Sequence, residues 1–205
     1  SSVQNREMIL GTIVHTAIEK HWDSLKLSHE ELNLQNLSKE EYEFCFKCLD
    51  VYNNNFRGIL NQEDEVEKKF KLEFSDGVYI VGKIDRITKE GLVFDWKTNR
   101  RTPRSISNDP QFILYHWAYT KMYNKPPQAV YYASLTDGSL LMLDSKKEYY
   151  GQLFEEVIPS IIRDIKGHNL PKTGIFTGDC FRCPYKEACL QEDKCVVDNS
   201  DSTKG

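Results

Sequence analysis

The chain of 205 residues is 40% hydrophobic and 28% charged, and its formal net charge is −4. This length fits one domain with a small appendage, and the hydrophobic content is sufficient for a buried core. The sequence has neither a signal peptide nor an apolar run of membrane-spanning length, so we expect no membrane association. Because it begins with Ser1, we expect a fragment or a processed chain.

The charge balance and the cysteines bear on the cellular setting. A negative net charge does not indicate a nucleic-acid-binding protein, although a local basic surface is sufficient for nucleic-acid binding. Six cysteines without a secretory signal indicate a reducing compartment, where clustered cysteines more often bind a metal than form disulfides. We therefore predict an intracellular, cytoplasmic protein of cellular, phage or viral origin.

Two amphipathic helices are predicted in the first third of the chain. Apolar residues recur with helical spacing over residues 6–25, and His15 lies on the flank of that helix. Ser38 and Glu41 form a capping-box pattern, which predicts the start of the second helix. Its apolar stripe continues at three- and four-residue steps as far as Ile59.

Three antiparallel strands are predicted next. Residues 65–74 alternate as a strand, a turn signal follows, and residues 81–99 read as a hairpin. The hairpin has a three-residue loop in which Gly91 adopts the left-handed conformation. That loop sets Asp85 directly opposite Asp95.

The facing carboxylates of Asp85 and Asp95 predict a metal site. Two carboxylates at this spacing repel each other, and a divalent cation such as Mg²⁺ converts the repulsion into attraction. Lys97 lies two residues beyond Asp95 and therefore on the same face of the strand. An ammonium there can orient a water molecule and stabilise developing negative charge.

A basic segment and a mixed set of elements follow. Arg100, Arg101 and Arg104 lie in a loop that is either solvated or in contact with phosphates, and we favour phosphate contact. The pattern then predicts a helix over residues 109–123 that carries Gln111 and Tyr115 four residues apart. Two further strands are predicted at residues 128–135 and 139–143. A last helix follows a capping box at Ser145 and Glu148 and is interrupted at Pro159.

The cysteines fall into two groups. Cys45 and Cys48 have a C-x-x-C spacing, but within an amphipathic helix we favour small core residues over metal ligands. Near the end of the chain three cysteines follow the spacing C-x2-C-x5-C, and a fourth lies six residues later. These four residues are Cys180, Cys183, Cys189 and Cys195. Their density predicts a metal-binding knuckle.

Four motifs in order resemble those of known nucleases. Gly82-Lys83-Ile84-Asp85 followed by Asp95-Trp96-Lys97 resembles the signature of the PD-(D/E)XK nuclease superfamily. The Gly-x-x-x-His segment ending at His15, the Gln-x-x-x-Tyr pair and the cysteine triplet resemble its RecB-like branch. The cysteine triplet resembles that of members with a [4Fe–4S] cluster, which include AddB-type and CRISPR-adaptation nucleases.

The resemblance implies a role for each matching residue. His15, Asp85 and Asp95 would hold Mg²⁺ or Mn²⁺, with the Trp96 backbone carbonyl as a further ligand. Lys97 would position the attacking water, and Gln111 and Tyr115 would bind the DNA strand near the metal.

The cysteine cofactor has two interpretations. In the iron–sulfur members the fourth cysteine precedes the Gly-x-x-x-His segment, and this chain has no cysteine there. Either a missing N-terminal part carries it, or Cys195 completes the site. Four closely spaced cysteines also suit Zn²⁺, and we favour the iron–sulfur cluster over zinc.

We therefore expect a PD-(D/E)XK restriction-endonuclease-like α/β fold, with a mixed sheet of about five strands flanked by helices. The nuclease core would span residues 1–178, the cysteine knuckle 179–196 and a disordered tail 197–205. The expected function is metal-dependent DNA hydrolysis, as an exonuclease on single-stranded ends in recombination, repair or CRISPR adaptation. Partners would be single-stranded DNA and a helicase, recombination or CRISPR protein. The alternatives are a non-catalytic DNA-binding or structural subunit with the same fold and the nuclease domain of a larger helicase–nuclease.

Overall fold

The computed structural model describes residues 6–20, 37–75, 77–144, 147–167, 183 and 186–187. The chain divides into two compact units, Asn5–Phe154 and a second unit that combines Ser1–Gln4 with Glu155–Gly205. In its described residues the larger unit contains three long helices, a short one and five strands. They are α1 (Arg6–Lys20), α2 (Lys39–Asn55), β1 (Glu65–Ser75), β2 (Val78–Ile87), β3 (Leu92–Lys97), α3 (Pro110–Tyr123), β4 (Ala129–Ser134), β5 (Leu140–Met142) and α4 (Lys147–Gly151).

The five strands form one mixed sheet in the order β1-β2-β3-β4-β5. β1, β2 and β3 are antiparallel neighbours, as the sequence predicts, and β5 is antiparallel to β4. β3 and β4 are parallel, and α3 lies between them in sequence. A parallel pair needs a crossover connection of this length, so α3 follows directly from the change of direction.

Helices on the two sides of the sheet form two hydrophobic cores. The first core contains the buried stripes of α1 and α2 together with Phe94 and Trp96 of β3. The second contains α3 with Val93 of the same strand. This alternation along β3 confirms the predicted strand. It leaves Asp95, between Phe94 and Trp96, on the side of α3.

α2 begins as predicted and ends earlier than predicted. Ser38 and Glu41 form a complete capping box at its start. Cys45 and Cys48 are fully buried in the first core, in agreement with the prediction that they are core residues. The prediction was wrong at Ile59, because the α-helix ends at Asn55 and Ile59 is 57% exposed in a short 3-10 turn.

Two glycines of the β2–β3 hairpin are required by close approaches. Gly91 adopts φ +89°, and a Cβ there would lie 2.7 Å from the Tyr119 hydroxyl oxygen. A Cβ on Gly82 would lie 2.4 Å from the ring of Phe70, which covers Gly82 from the neighbouring strand. The glycine of the Gly-x-x-Asp motif therefore makes room for an aromatic ring of the second core.

A buried ion pair holds β2 behind the site. Arg86 is 1% exposed, and its Nε donates to Asp64 Oδ2 over 3.0 Å. The same guanidinium donates to the backbone carbonyl of Asn61. A buried charge is tolerated only when it is paired and hydrogen-bonded, so this pair fixes the segment before β1 against the strand that carries Asp85.

The second unit is described over residues 155–167 and at three later positions. The chain leaves α4 through a π-helical segment, Gln152–Val157, and continues as α5, Ile158–Lys166. Pro159 lies at the start of α5, which agrees with the predicted interruption. In the described ranges no helix is both long and apolar enough to cross a membrane.

Candidate active site

Three side chains from three elements meet at the sheet. His15 of α1, Glu67 of β1 and Asp85 of β2 each place one ligand atom within 4.8 Å of the others. His15 Nδ1 lies 3.6 Å from Asp85 Oδ1. The structure thus brings together His15 and Asp85, which the sequence predicts as metal ligands, and adds Glu67, which the sequence did not predict.

Glu67 has an unusual backbone conformation. Its φ is +51°, although it lies within a strand, and non-glycine residues rarely adopt this region. Outliers of this kind concentrate at functional sites, where the surrounding structure holds them. The only sequence signal for Glu67 is a carboxylate at the strand position across from Asp85. The φ value and the convergence become visible only in three dimensions.

The carboxylate of Asp85 is oriented by the backbone of β3. The Trp96 N–H donates to Asp85 Oδ2 over 2.7 Å, and Oδ1 therefore faces His15. Burial lowers the pKa of His15, but the hydrogen bond and charge of Asp85 outweigh it, with smaller contributions from Asp95 and the Trp96 carbonyl, so the pKa is raised overall. The imidazole, the Asp85 carboxylate and the Trp96 carbonyl are thus close neighbours.

The hairpin register agrees with the prediction. Arg86 pairs with Phe94 and Ile87 with Val93, and the Thr88 N–H donates to the Leu92 carbonyl. The next position in this register sets Asp85 against Asp95. Asp95 nevertheless lies outside the three-atom cluster of His15, Glu67 and Asp85.

Asp95 is held in a polar network on the side of α3. Lys97 Nζ lies 2.7 Å from Asp95 Oδ2, and it also donates to Gln111 Oε1 over 2.9 Å. Gln111 Nε2 donates to Asp95 Oδ1 over 3.2 Å, and the Tyr115 hydroxyl donates to the same oxygen over 3.0 Å. Both members of the Gln-x-x-x-Tyr pair therefore orient the Asp95 carboxylate.

The environment of Asp95 opposes its ionisation. Burial, followed by the charge of Asp85, raises the pKa of Asp95 to about 6, although Lys97 and Tyr115 lower it. The negative charge of the neighbouring Asp85 disfavours the ionised form of Asp95, and a bound cation would offset this repulsion.

Tyr115 is almost completely buried. The residue is 7% exposed, and its ring packs edge-on against Phe112. The DNA-binding role of Gln111 and Tyr115 stays a prediction, and their observed contacts are with Asp95 and Lys97.

The segment after β3 carries the predicted basic residues, and all three arginines are exposed. Thr136 Oγ1 donates to the Asn99 carbonyl, and Thr102 donates to Asp137, so the turn after β4 anchors this segment. Arg100 and Arg101 line a cavity of about 740 Å³, whereas Arg104 does not. The other lining residues come from α1, the start of α2 and the end of β3: Glu7, Met8, Leu10, Gly11, Glu40, Glu41, Phe44, Thr98 and Asn99.

The family follows from the sequence comparison. The sequence profile of the PD-(D/E)XK nuclease superfamily matches residues 2–190. The chain belongs to the PD-(D/E)XK nuclease superfamily. Among curated proteins none matches the sequence.

A solved structure is similar to this chain in fold. A crystal structure from Eubacterium rectale, named "Putative exonuclease", is 13% identical and covers 83% of this chain and 71% of its own, with a TM-score of 0.58. At this identity the likeness concerns the fold alone. The structure of SSO0001 is 16% identical and covers 88% of this chain and 96% of its own, but its TM-score of 0.39 carries no argument.

Divalent cations are typical of PD-(D/E)XK nucleases, and the donor set here fits such an ion. An imidazole nitrogen and two carboxylate oxygens that lie within 4.8 Å of one another are a donor set of the kind that binds a divalent cation. The carboxylate of Asp95, which is buried and repelled by the charge of Asp85, is adjacent to this set. Carboxylate oxygens and an imidazole nitrogen are both common ligands of divalent cations, so the mixed set is compatible with such an ion.

The predicted cysteine knuckle falls largely outside the described residues. Cys180, Cys189 and Cys195 are not among them. Cys183 is described as an exposed free cysteine. The cluster, its metal and the domain boundaries at residues 178 and 196 therefore stay predictions.

Proposed function

We propose that the chain is a divalent-metal-dependent deoxyribonuclease that hydrolyses phosphodiester bonds. The observation that carries the proposal is the convergence of His15, Glu67 and Asp85 beside the Asp95–Lys97 pair, in the fold of a nuclease superfamily. The polar network that orients Asp95 and Lys97 is consistent with a site prepared for chemistry.

Each residue has a proposed task. His15, Asp85, Asp95 and Glu67 hold the ion, and the Trp96 carbonyl is a further ligand. When bound, the ion would supply Lewis acidity toward the phosphoryl oxygen and toward the attacking water. Lys97 orients the attacking water and stabilises negative charge on the phosphate. Gln111 and Tyr115 keep Asp95 and Lys97 in place, while Arg100, Arg101 and Arg104 contact the phosphates of the substrate.

The finer proposal is exonuclease action on single-stranded DNA ends, in recombination, repair or CRISPR adaptation. The name of the Eubacterium rectale protein supports an exonuclease, and the four RecB-like motifs support an end-processing role. A helicase, recombination or CRISPR protein would be the partner, either as a separate chain or as another domain of the same one.

A time course on end-labelled and circular single-stranded DNA tests this function. We expect cleavage with Mg²⁺ or Mn²⁺ and none with EDTA, stepwise release from labelled ends, and resistance of the circle. We expect Asp95→Asn to be inactive. Asp50→Asn, at an exposed position of α2, is the matched control. Cutting of the circle would replace exonuclease with endonuclease. Cleavage by Asp95→Asn at the parental rate would overturn the assignment of the site.

The cysteine cofactor is proposed separately. We expect Cys180, Cys183 and Cys189 to bind a [4Fe–4S] cluster, with Cys195 or an upstream cysteine as the fourth ligand, and zinc as the alternative metal. Protein purified without oxygen should then be brown and contain iron. One equivalent of zinc in colourless protein would establish the alternative, and the absence of both metals would contradict a knuckle.

A further inference from the structure

The exposed face of the β1–β2 hairpin begins at the candidate metal ligands. Its six outward positions are exposed, and they form three cross-strand pairs: Lys69 with Lys83, Lys71 with Val81, and Glu73 with Tyr79. We define these six residues as the hairpin face. Glu67 and Asp85 occupy the next alternate positions of β1 and β2, so the hairpin face ends at residues of the candidate site.

A direct contact joins the hairpin face to the candidate site. Lys83 forms an ion pair with Glu67, which is one of the three clustered ligands. From Asp85 to Tyr79 is six residues, or roughly 20 Å of strand at about 3.3 Å per residue. The hairpin face therefore extends from the site over the length of a few nucleotides.

The composition of the hairpin face differs from that of the whole chain. It has three lysines and one glutamate, whereas the chain has a net charge of −4. Glu73 accepts a hydrogen bond from the Gly77 N–H, so it is engaged with the hairpin turn. The positive charge is thus concentrated in the half of the hairpin that lies nearer the candidate site.

Tyr79 and Val81 give the same face an apolar surface. Tyr79 is 47% exposed, Val81 is 66% exposed, and the ammonium of Lys71 lies 4.6 Å from the centroid of the Tyr79 ring. The cation holds the ring in place while almost half of the residue remains accessible. Lysines interleaved with an exposed aromatic ring are the features by which proteins bind single strands without reading sequence.

We propose that the hairpin face is the track along which single-stranded DNA runs to or from the active site. Lys69, Lys71 and Lys83 contact successive phosphates, and Tyr79 stacks on a base. This inference rests on the proposed nuclease function, since it takes the strand to be the substrate. Single-stranded DNA fits better than a duplex, because a base must be unpaired to stack on Tyr79.

The test measures binding and cleavage separately. Fluorescence anisotropy with labelled oligo-dT of increasing length, in Ca²⁺ without turnover, gives the dissociation constant and its salt dependence. For Lys69→Ala/Lys71→Ala we expect the slope of log K against log salt to fall by about 1.4, at about 0.7 per lost phosphate contact on a single strand. For Tyr79→Ala we expect at least about fivefold weaker binding of long strands.

The control removes equal charge elsewhere. Lys121→Ala/Lys125→Ala changes two exposed lysines at the end of α3 and should leave the slope near that of the parent. An equal fall in slope for both double variants would overturn the track, because the lysines would then act only through total charge. Equal weakening of blunt duplex by Tyr79→Ala would overturn its assignment to single strands.

Cleavage distinguishes failure of the track from failure of the proposed function. If the parent cleaves and its KM falls with substrate length, the variants should lose that length dependence. Retention of the full length dependence by Tyr79→Ala and by Lys69→Ala/Lys71→Ala would overturn the track and leave the nuclease intact. If the parent cleaves no DNA with either metal, the nuclease proposal fails, and the salt slopes still decide whether the hairpin face binds single strands.

Discussion

The Tyr115 hydroxyl donates to Asp95 Oδ1 over 3.0 Å, and Gln111 donates to the same oxygen. The motif that the resemblance assigns to DNA contact is therefore directed, in this structure, at a candidate metal ligand. A buried carboxylate with two such donors keeps one rotamer, and its other oxygen faces Lys97.

Tyr115→Phe removes the hydroxyl and keeps the ring packing. The hydrogen bond lowers the pKa of Asp95, so its loss raises that pKa and moves the acid limb of the rate–pH profile to higher pH. We expect kcat at neutral pH to fall roughly tenfold, in line with a positioning contact. Tyr119→Phe on the same helix is the control. A variant with a lower rate but an unshifted acid limb would contradict the role of the hydroxyl.

Asp95→Asn should stabilise the metal-free protein at neutral pH. The pKa of Asp95 is raised to about 6, so the folded protein binds this proton more tightly than the unfolded chain does. Stability is therefore lost as the pH rises from about 4 to about 6, and the asparagine removes that loss. Two pH units correspond to roughly 2–3 kcal/mol.

Denaturant unfolding in EDTA at pH 3 and pH 7.5 measures this effect. The stabilisation by Asp95→Asn should be present at pH 7.5 and small at pH 3, where the carboxylate is mostly protonated in both the folded and the unfolded state. Saturating Mn²⁺ should reverse the order of stabilities, because the parent gains metal-binding free energy that the variant lacks. A stability difference that is the same at both pH values would mean that Asp95 ionises without cost.

Glu67→Gln tests the ligand that sequence reasoning missed. The amide keeps the size of the side chain and removes the charge that faces His15 and Asp85. We expect Mn²⁺ affinity to fall at least about tenfold, with little change in thermal stability without metal. Titration calorimetry measures it, and Glu73→Gln on the same strand is the control. Parental metal affinity would exclude Glu67 from the ion.

Gly11→Ala tests how α1 is positioned. A Cβ on Gly11 would lie 3.2 Å from Thr98 Oγ1, so Thr98 or the helix must move by a few tenths of an ångström, and we expect the helix to move. His15 lies one turn further along α1, and such a shift changes its distance to Asp85. We expect kcat to fall severalfold while stability changes by less than about 1 kcal/mol, because alanine favours the helix.

Two comparisons make the Gly11 result specific. Gly58→Ala meets no atom within 4 Å and should leave activity unchanged. Gly11→Ala/Thr98→Ala removes the colliding oxygen and should recover most of the lost rate. Failure of the double variant to recover would attribute the loss to something other than helix position.

Local patterns in the sequence determined the elements and much of the site. The capping box at Ser38, the left-handed Gly91 and the alternation along β3 depend on neighbouring residues, which is why their predictions agree with the structure. The register that pairs Arg86 with Phe94 and Ile87 with Val93 followed from loop length alone. The predicted extension of α2 to Ile59 was wrong because a helical repeat can continue in the sequence beyond the residue at which the helix ends.

Tertiary structure alone decided which groups meet. Glu67 joined His15 and Asp85 through a strand residue with positive φ, and no periodicity in the sequence signals that conformation. Tyr115 was directed to Asp95 because α3 crosses from β3 to the parallel strand β4 and buries the ring on the way. Sequence motifs specify which chemical groups are available; the packing of α1 and α3 against the sheet determines which carboxylate each of them contacts.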